Sequence, residues 1–210
     1  MIPTPLGVFS IINPIKGILI GIFPKFIILY FHVDEKRKVF LITIKLIKGE
    51  RMEKGVRYFA YGSCMDEASF RSTVGGKNYE VMGRAVLPGY RLAFTLWSDK
   101  WQGGVADLLP SPKDEVEGVL YKLHPSAQAP LDRREGVPLG RYRRMEVEVV
   151  WKGERVRAMT YSVVHKAPAE MAPSPSYRRA ILNGVDRFLD PSYREKLLRM
   201  WQERFGIPPG

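Results

Sequence analysis

An aromatic stretch that runs directly into a glycine and a serine is the first place where this chain could do chemistry. The stretch reads Tyr58-Phe59-Ala60-Tyr61-Gly62-Ser63. Its residue types predict a strand that ends in a loop, with a helix following at once. Backbone N–H groups in such a loop can converge on an anion, and Gly62 lets a ligand approach the backbone closely. An ordinary strand-to-helix turn explains the same residues, so the stretch alone decides nothing.

A second segment, residues 131–137, places the carboxyl group of Glu135 directly before Gly136. A glycine there is typical of a helix C-terminus, so a surface helix is predicted to end at this point. A carboxylate at that end faces the negative pole of the helix dipole, which opposes its ionisation. Such a carboxyl group suits a residue that accepts and returns protons.

Two further carboxyl groups offer alternatives for the same work. Asp107 follows the small residues 103–106, and Glu117 precedes Gly118 in a second strand-like segment. Small residues on paired strands let other groups approach closely, which is more typical of barrel architecture than of catalysis. Asp107 and Glu117 are therefore either acid/base groups or satisfied structural partners.

The single cysteine, Cys64, sits at the predicted loop-to-helix junction, where a thiolate could be stabilised. With His165 it could form the nucleophile of an acyl-transfer enzyme, or it could be a small buried hydrophobe. One cysteine excludes an intrachain disulfide and a zinc site built on paired cysteines. The chain has only three histidines, too few for most histidine-rich metal sites.

The elements that must position these groups are mostly short strands. Seven segments have strand-like composition or alternation, at residues 57–61, 79–86, 90–97, 104–109, 115–123, 144–151 and 154–164. Pro88-Gly89 and Lys152-Gly153 are predicted turns, and Pro110 to Asp114 a loop. Helices are predicted at 65–74, at 126–135 and in two C-terminal stretches separated by Pro191. The pattern predicts an α+β fold, with a mixed, barrel-like or strongly curled sheet flanked by helices.

Length and charge limit the class of protein. The chain has 210 residues, which suits one domain with or without an appendage. Its net charge is +11, but beyond residue 51 the arginines come as pairs rather than as a dense basic run. We therefore expect no nucleic-acid partner. Composition leaves the oligomeric state open.

Residues 1–51 differ from the rest of the chain. They are rich in apolar residues, but Lys16 and Lys25 interrupt them, and the longest uncharged stretch is too short for a spanning helix. Three interpretations remain: a membrane-associated segment, an additional strand or helix of the fold, or a misassigned start. The residues of 48–51 can be encoded by a purine-rich tract that resembles a ribosome-binding site. We expect residues 52–210 to be the functional, cytoplasmic protein, with membrane contact only if residues 1–51 are native.

The ordered set of motifs resembles the γ-glutamylcyclotransferase family, including its AIG2-like relatives. The matching pieces are residues 58–63, Gly83-Arg84-Ala85, residues 88–94, 104–107 and 117–121, Leu131-Asp132 with Glu135-Gly136, and residues 173–177. Each piece is short, but together they span roughly residues 56–200. Residues 1–51 have no counterpart in the family's pattern.

The resemblance implies a fold, a reaction and a set of roles. The family's fold is a mixed β-barrel with flanking helices, and its members release a γ-glutamyl group as 5-oxoproline without a cofactor. The resemblance implies that Glu135 is the acid/base residue. It also implies that the segment Tyr58, Phe59, Ala60, Tyr61, Gly62 and Ser63 holds the γ-glutamyl group, and that Tyr177 lies against the substrate.

One position departs from the family pattern. Cys64 stands where the loop usually continues with asparagine, which removes an amide donor and acceptor. If that asparagine side chain touches the substrate, the departure shifts specificity; if it only ties the loop together, little changes. The resemblance implies a γ-glutamyl amino acid or a γ-glutamyl amine as substrate. Two other functions stay open: cysteine-dependent acyl transfer through Cys64, and a binding module for a γ-glutamyl ligand without catalysis.

Overall fold

The computed structural model describes residues 11–13, 18–23, 26–32, 39–44 and 55–208. The chain divides into two compact units, Met1–Met52 and Glu53–Gly210. The predicted junction at residues 48–52 lies outside the described residues. No helix in the described part of the chain is long and apolar enough to cross a membrane.

The first unit contains an antiparallel sheet whose strands follow one another in sequence order. Its strands are β1 (Ile11–Asn13), β2 (Ile18–Phe23), β3 (Phe26–His32) and β4 (Val39–Ile44). Strand β4 lies within residues 39–47, where apolar residues allow a strand.

The second unit is built on a five-stranded closed barrel. Its strands are β5 (Val56–Ala60), β6 (Tyr79–Ser98), β7 (Gly103–Leu123), β8 (Tyr142–Trp151) and β9 (Glu154–Val163). The order around the barrel is β5-β7-β6-β8-β9. The parallel pairing of β5 with β9, at Tyr58 and Met159, closes the ring, and the other pairs are antiparallel. The predicted α+β class with a mixed, barrel-like sheet is confirmed.

The predicted breaks at Pro88-Gly89 and at residues 110–114 were wrong. Residues 79–86 and 90–97 belong to β6, and residues 104–109 and 115–123 belong to β7. The register shifts between Pro88 and Tyr90, where Gly89 has a φ of 79°. A bulge lets a strand bend while its pairing continues on both sides, so turn-forming residues need not end it. The seven predicted strands therefore correspond to five strands in the structure.

Within residues 55–208, four α-helices flank the barrel. They are α1 (Glu67–Val74), α2 (Gln128–Glu135), α3 (Pro175–Phe188) and α4 (Pro191–Phe205). The Asp66 side chain caps α1 by accepting from the Ser69 N–H, at 3.1 Å. Gly136 ends α2 in the left-handed conformation, as predicted.

The loop after β5 is held between the barrel core and α3. Tyr58 in the middle of β5 stacks on Phe70 of α1, and Phe70 stacks on Tyr121 of β7 with ring centroids 4.4 Å apart. On the other side, α3 approaches so closely at Gly184 that a Cβ there would lie 2.6 Å from the carbonyl carbon of Met65. The loop is therefore packed on both sides, which fixes the groups that it presents.

Candidate active site

Two adjoining cavities open where the loop after β5 meets the end of α2. Four residues line both of them: Ser63, Glu135, Tyr142 and Tyr177. The inner cavity, of about 30 Å³, reaches Tyr58, Tyr61, Gly62 and Cys64. The outer cavity, of about 130 Å³, extends to Trp97, Lys100, Trp101 and Arg141. The four shared residues make the two cavities neighbours.

Glu135 lies between the two cavities with 18% of its side chain exposed. The Cys64 thiol donates a hydrogen bond to its Oε1 at 3.2 Å, and Arg134 Nε lies 4.0 Å from the same oxygen. Burial raises the pKa of Glu135, while the thiol and the guanidinium partly offset that rise. The direction agrees with the expectation from the helix end, but the main cause is burial.

Asp132, one helical turn before Glu135, has the opposite environment. It accepts from Arg144 Nε at 2.8 Å and from the Tyr161 hydroxyl at 2.7 Å. The hydrogen bond from Arg144 lowers the pKa of Asp132, and Tyr161 adds to this in spite of partial burial. The two environments thus move the pKa values of these two carboxyl groups in opposite directions. Glu135, whose pKa is raised, is the one that faces the cavities.

The two alternative carboxyl groups are engaged in structural contacts. Asp107 is fully buried and accepts from Thr95 Oγ1 at 2.6 Å, from the Val163 N–H at 3.0 Å and from Lys166. Glu117 forms a two-pronged ion pair with Arg84, at 2.6 and 2.8 Å. Neither carboxyl group lines the two cavities.

Gly62 and Ser63 of the loop after β5 line the inner cavity. Met65 N–H bonds to the Gly62 carbonyl at 3.0 Å and starts a short 3₁₀ turn, Ser63–Met65. The N–H groups at the start of a helical turn lie outside its ladder and can serve another acceptor. A Cβ at Gly62 would lie 3.1 Å from the Tyr177 hydroxyl, so glycine here keeps the cavity open.

Tyr177 joins the loop to strand β7. Its hydroxyl accepts a hydrogen bond from the Ala106 N–H at 3.0 Å, and its ring meets Trp101 edge-on with centroids 5.0 Å apart. Burial raises its pKa, although the Ala106 and Ser63 backbones work against the rise. The residue is therefore a neutral phenol wedged between the two cavities.

The predicted segment 58–63 divides into two groups. Tyr58, Tyr61, Gly62 and Ser63 line the inner cavity together with Glu135 and Tyr177. The side chains of Phe59 and Ala60 lie in the core and line neither cavity. The Ala60 carbonyl packs against Gly118, where a Cβ would lie only 2.2 Å away. Phe59 and Ala60 thus fix the end of β5.

Sequence reasoning missed three residues of the site. Tyr142 and Tyr161 line the inner cavity from β8 and β9, and Tyr142 donates to the Ala106 carbonyl at 2.7 Å. Arg134 lines the outer cavity and donates to Ser63 Oγ at 3.3 Å. The one available signal was that Arg134 adjoins Glu135 in the chain. Nothing in the sequence marks the two tyrosines as different from core residues.

Cys64 is poorly placed to act as a nucleophile. Burial, and next the nearby Glu135 carboxylate, raise the pKa of its thiol to about 12. Its hydrogen-bond partner is Glu135, while His165 lies exposed. A thiol in this setting remains protonated at neutral pH, so it acts as a hydrogen-bond donor to Glu135. In the part of the chain that the structure describes, no three His, Cys, Asp or Glu residues are grouped to hold a metal ion.

The geometry agrees with a family comparison. Residues 58–179 match the model of the family described as gamma-glutamyl cyclotransferase, AIG2-like, which is more than half of the chain. The chain belongs to this family. The match runs from Tyr58 of the inner cavity to just beyond Tyr177, and it contains Glu135.

Individual relatives agree with this assignment. The chain is 41% identical over 147 residues to the putative gamma-glutamylcyclotransferase YkqA of Bacillus subtilis, covering 69% of this chain but 51% of that protein. It therefore spans about half the length of that relative. It is 33% identical over 147 residues to the gamma-glutamylcyclotransferase of Bos taurus, covering 67% of this chain and 76% of that one.

A solved structure described as gamma-glutamyl cyclotransferase superposes with a TM-score of 0.64 at 31% identity. It covers 68% of this chain and 86% of the other. The barrel and its helices are thus the family's fold.

Proposed function

We propose that the protein is a γ-glutamylcyclotransferase, which closes a γ-glutamyl amino acid or γ-glutamyl amine into 5-oxoproline and frees the amine. The observation that carries the proposal is the place of Glu135. It is a carboxyl group with a raised pKa, at the junction of two cavities, beside the Gly62-Ser63 loop. A cytoplasmic location is part of the same proposal.

The inner cavity suits the γ-glutamyl group. Its walls carry five tyrosines, Tyr58, Tyr61, Tyr142, Tyr161 and Tyr177, whose pKa values are raised chiefly by burial. The hydroxyls of Tyr61, Tyr142 and Tyr161 already donate to protein acceptors. These three phenols therefore provide shape, and we assign polar recognition of the ligand to the Gly62-Ser63 backbone and the Tyr177 hydroxyl.

The bond changes need no nucleophile from the protein. The α-amine nitrogen of the γ-glutamyl group attacks its own γ-carbonyl carbon, and a five-membered ring forms. The bond from that carbon to the departing nitrogen then breaks. Holding the substrate in the folded geometry removes much of the entropic barrier to ring closure. The backbone N–H groups of the Gly62-Ser63 loop stabilise the oxyanion that develops on the carbonyl oxygen.

Glu135 moves the protons. The α-ammonium loses two protons on its way to the lactam N–H, and the departing nitrogen gains two as it leaves as an ammonium ion. Glu135 carries them one at a time, as a base toward the attacking nitrogen and as an acid toward the departing one. A raised pKa suits this exchange, because it brings the carboxyl group closer to the working pH.

The proposal is tested by product analysis with γ-glutamyl-L-alanine and its α-N-acetyl derivative. We expect equal amounts of 5-oxoproline and alanine from the first substrate and no turnover of the second, because its nitrogen cannot attack. Release of glutamate in place of 5-oxoproline, or turnover of the acetylated substrate, would contradict cyclisation. A protein that binds γ-glutamyl-L-alanine without turning it over would be the binding module.

A further inference from the structure

The outer cavity carries more positive charge than one γ-glutamyl group requires. Three cationic side chains line it, Lys100, Arg134 and Arg141, against the single carboxyl group of Glu135. A γ-glutamyl group has one carboxylate of its own, so the number and the placement of these cations bear on the rest of the substrate.

Arg134 is the cation next to the proposed γ-glutamyl site. Its side chain is 15% exposed, and it is fixed by hydrogen bonds to the Ser69 carbonyl at 2.9 Å and to Thr73 Oγ1 at 2.7 Å. It also reaches Ser63 Oγ, in the loop after β5. Arg134 is therefore placed to balance the α-carboxylate that every γ-glutamyl substrate shares.

Lys100 and Arg141 form a second, outer pair of cations. Lys100 lies between β6 and β7, and Arg141 directly precedes β8. Both are exposed, and within residues 55–208 no carboxylate lies at ion-pair distance from either of them. Two cations from separate segments that line one cavity, neither of them paired with a carboxylate, favour an anionic ligand there.

Apolar surface lies beside this outer pair. Trp97 is 49% exposed and lines the same cavity, and Trp101 continues the wall toward Tyr177. The Lys100 ammonium lies 5.6 Å from the centroid of the Trp101 ring. A ligand with a carboxylate and an apolar side chain, such as an amino acid, fits this combination of groups.

We infer that the outer cavity is the subsite for the leaving group, and that Lys100 and Arg141 bind its carboxylate. The preferred substrates are then γ-glutamyl α-amino acids with apolar side chains rather than γ-glutamyl amines. The inference rests on the proposed function, because it assumes that the γ-glutamyl group occupies the inner cavity. Lys100 and Arg141 touch the part of the substrate that leaves, so they determine specificity.

Matched substrates that differ by one carboxylate test the inference. The release of 5-oxoproline from γ-glutamyl-L-phenylalanine and from γ-glutamyl-phenethylamine is followed, and the two substrates are compared by their kcat/KM values. We expect the amino acid substrate to be favoured by about tenfold, the effect of a carboxylate with two partly exposed cations. The preference is expected to shrink as salt is added, because both cations are exposed.

A double variant assigns the effect to its residues. In Lys100→Gln/Arg141→Gln the preference is expected to fall to about twofold or less, mainly through a higher KM for the amino acid substrate. The control variant is Lys113→Gln/Arg143→Gln, which removes two exposed cations that line neither cavity. The control is expected to keep the full preference.

Each outcome of these comparisons either supports or overturns the inference. A preference that disappears in the double variant and persists in the control supports the inference. Equal turnover of both substrates, or a preference that the double variant keeps, overturns the inference and leaves the proposed function standing. Absence of 5-oxoproline from both substrates, while γ-glutamyl-L-alanine is turned over, overturns the inference alone. Absence of 5-oxoproline from all three substrates overturns the proposed function and the inference with it.

Discussion

The Cys64 thiol donates a hydrogen bond to the Glu135 carboxylate across 3.2 Å, and it joins the loop after β5 to the end of α2. The bond stabilises the ionised form of Glu135 and so lowers its pKa against the rise caused by burial. Cys64 is thus a positioning residue for the proposed acid/base group rather than a nucleophile.

Replacing Cys64 distinguishes a hydrogen-bond donor that positions Glu135 from a nucleophile. Cys64→Ser keeps a donor, so we expect turnover within about tenfold of the wild type, the scale of one hydrogen bond. Cys64→Ala removes the donor, so the pKa of Glu135 rises further and the acidic limb of the kcat/KM profile moves to higher pH. Rate profiles over pH check both variants. Complete loss of activity in Cys64→Ser, with an acyl group trapped on Cys64 in the wild type, would contradict this account.

The raised pKa of Glu135 also predicts how stability depends on pH. The folded pKa lies above the unfolded one, so this group's contribution is fully present below the unfolded pKa and is lost as pH rises through the folded pKa. Glu135→Gln removes this pH-dependent loss of stability, because the amide does not ionise. We expect its Tm to exceed that of the wild type by a margin that grows with pH, measured by thermal unfolding between pH 4 and 8. A margin that shrinks as pH rises would contradict the buried carboxylate.

Removing the Tyr177 hydroxyl leaves the Ala106 N–H without its acceptor. Tyr177→Phe is therefore expected to lower the free energy of unfolding by about 1–3 kcal/mol, measured in urea, and to raise KM. Tyr193→Phe is the matched control, because Tyr193 is an equally buried tyrosine that lines neither cavity. A KM change of the same size in the control would remove Tyr177 from the substrate site.

Substitutions at two glycines distinguish a residue of the site from a residue that supports the barrel. At Gly118 a Cβ would meet the Ala60 carbonyl at 2.2 Å, so Gly118→Ala is expected to destabilise the barrel severely. At Gly62 the backbone φ is −127° and the nearest atoms would lie 3.1 Å away, so Gly62→Ala is expected to fold. Its kcat/KM is expected to fall by about tenfold or more, because the methyl group narrows the inner cavity. A folded Gly62→Ala protein with normal kinetics would place the substrate elsewhere.

The domain division yields a prediction of its own. The residues that line both cavities lie between Tyr58 and Tyr177, and the second compact unit begins at Glu53. A chain that starts at Met52 is expected to fold and to release 5-oxoproline as fast as the full chain. Aggregation of the shorter chain would show that the preceding residues are needed. Mass spectrometry of the native protein gives the independent check, since peptides from before Met52 would contradict a misassigned start.

Local signals predicted much of the fold. The alternation over residues 144–151 and the pair Lys152-Gly153 give the β8–β9 hairpin, in which Trp151 faces Glu154. Pro88-Gly89 misled because a bulge and a turn use the same residue types. Which of them forms depends on whether a partner strand continues the pairing, and here β7 does so.

The residues of the site fall into the same two groups: those with a local signal in the sequence, and those that only the fold brings into place. Gly136 marks a helix end in the sequence itself, which makes Glu135 a candidate, and the family resemblance gives Glu135 the acid/base role. Tyr142 and Tyr161 come from β8 and β9, and only closure of the barrel brings these strands beside the Gly62-Ser63 loop. The contact of the Cys64 thiol with Glu135 spans 71 residues, and no sequence pattern fixes a distance of that kind.

The central claim is that Glu135 cycles the protons of ring closure. The most direct test is the rate of 5-oxoproline release from γ-glutamyl-L-alanine by Glu135→Gln, with Asp132→Asn as the matched carboxyl-to-amide change in the same helix. We expect Glu135→Gln to bind the substrate but to lose about 10²-fold or more in kcat, and Asp132→Asn to stay within about tenfold of the wild type. Near-normal kcat in a folded Glu135→Gln protein would contradict the account.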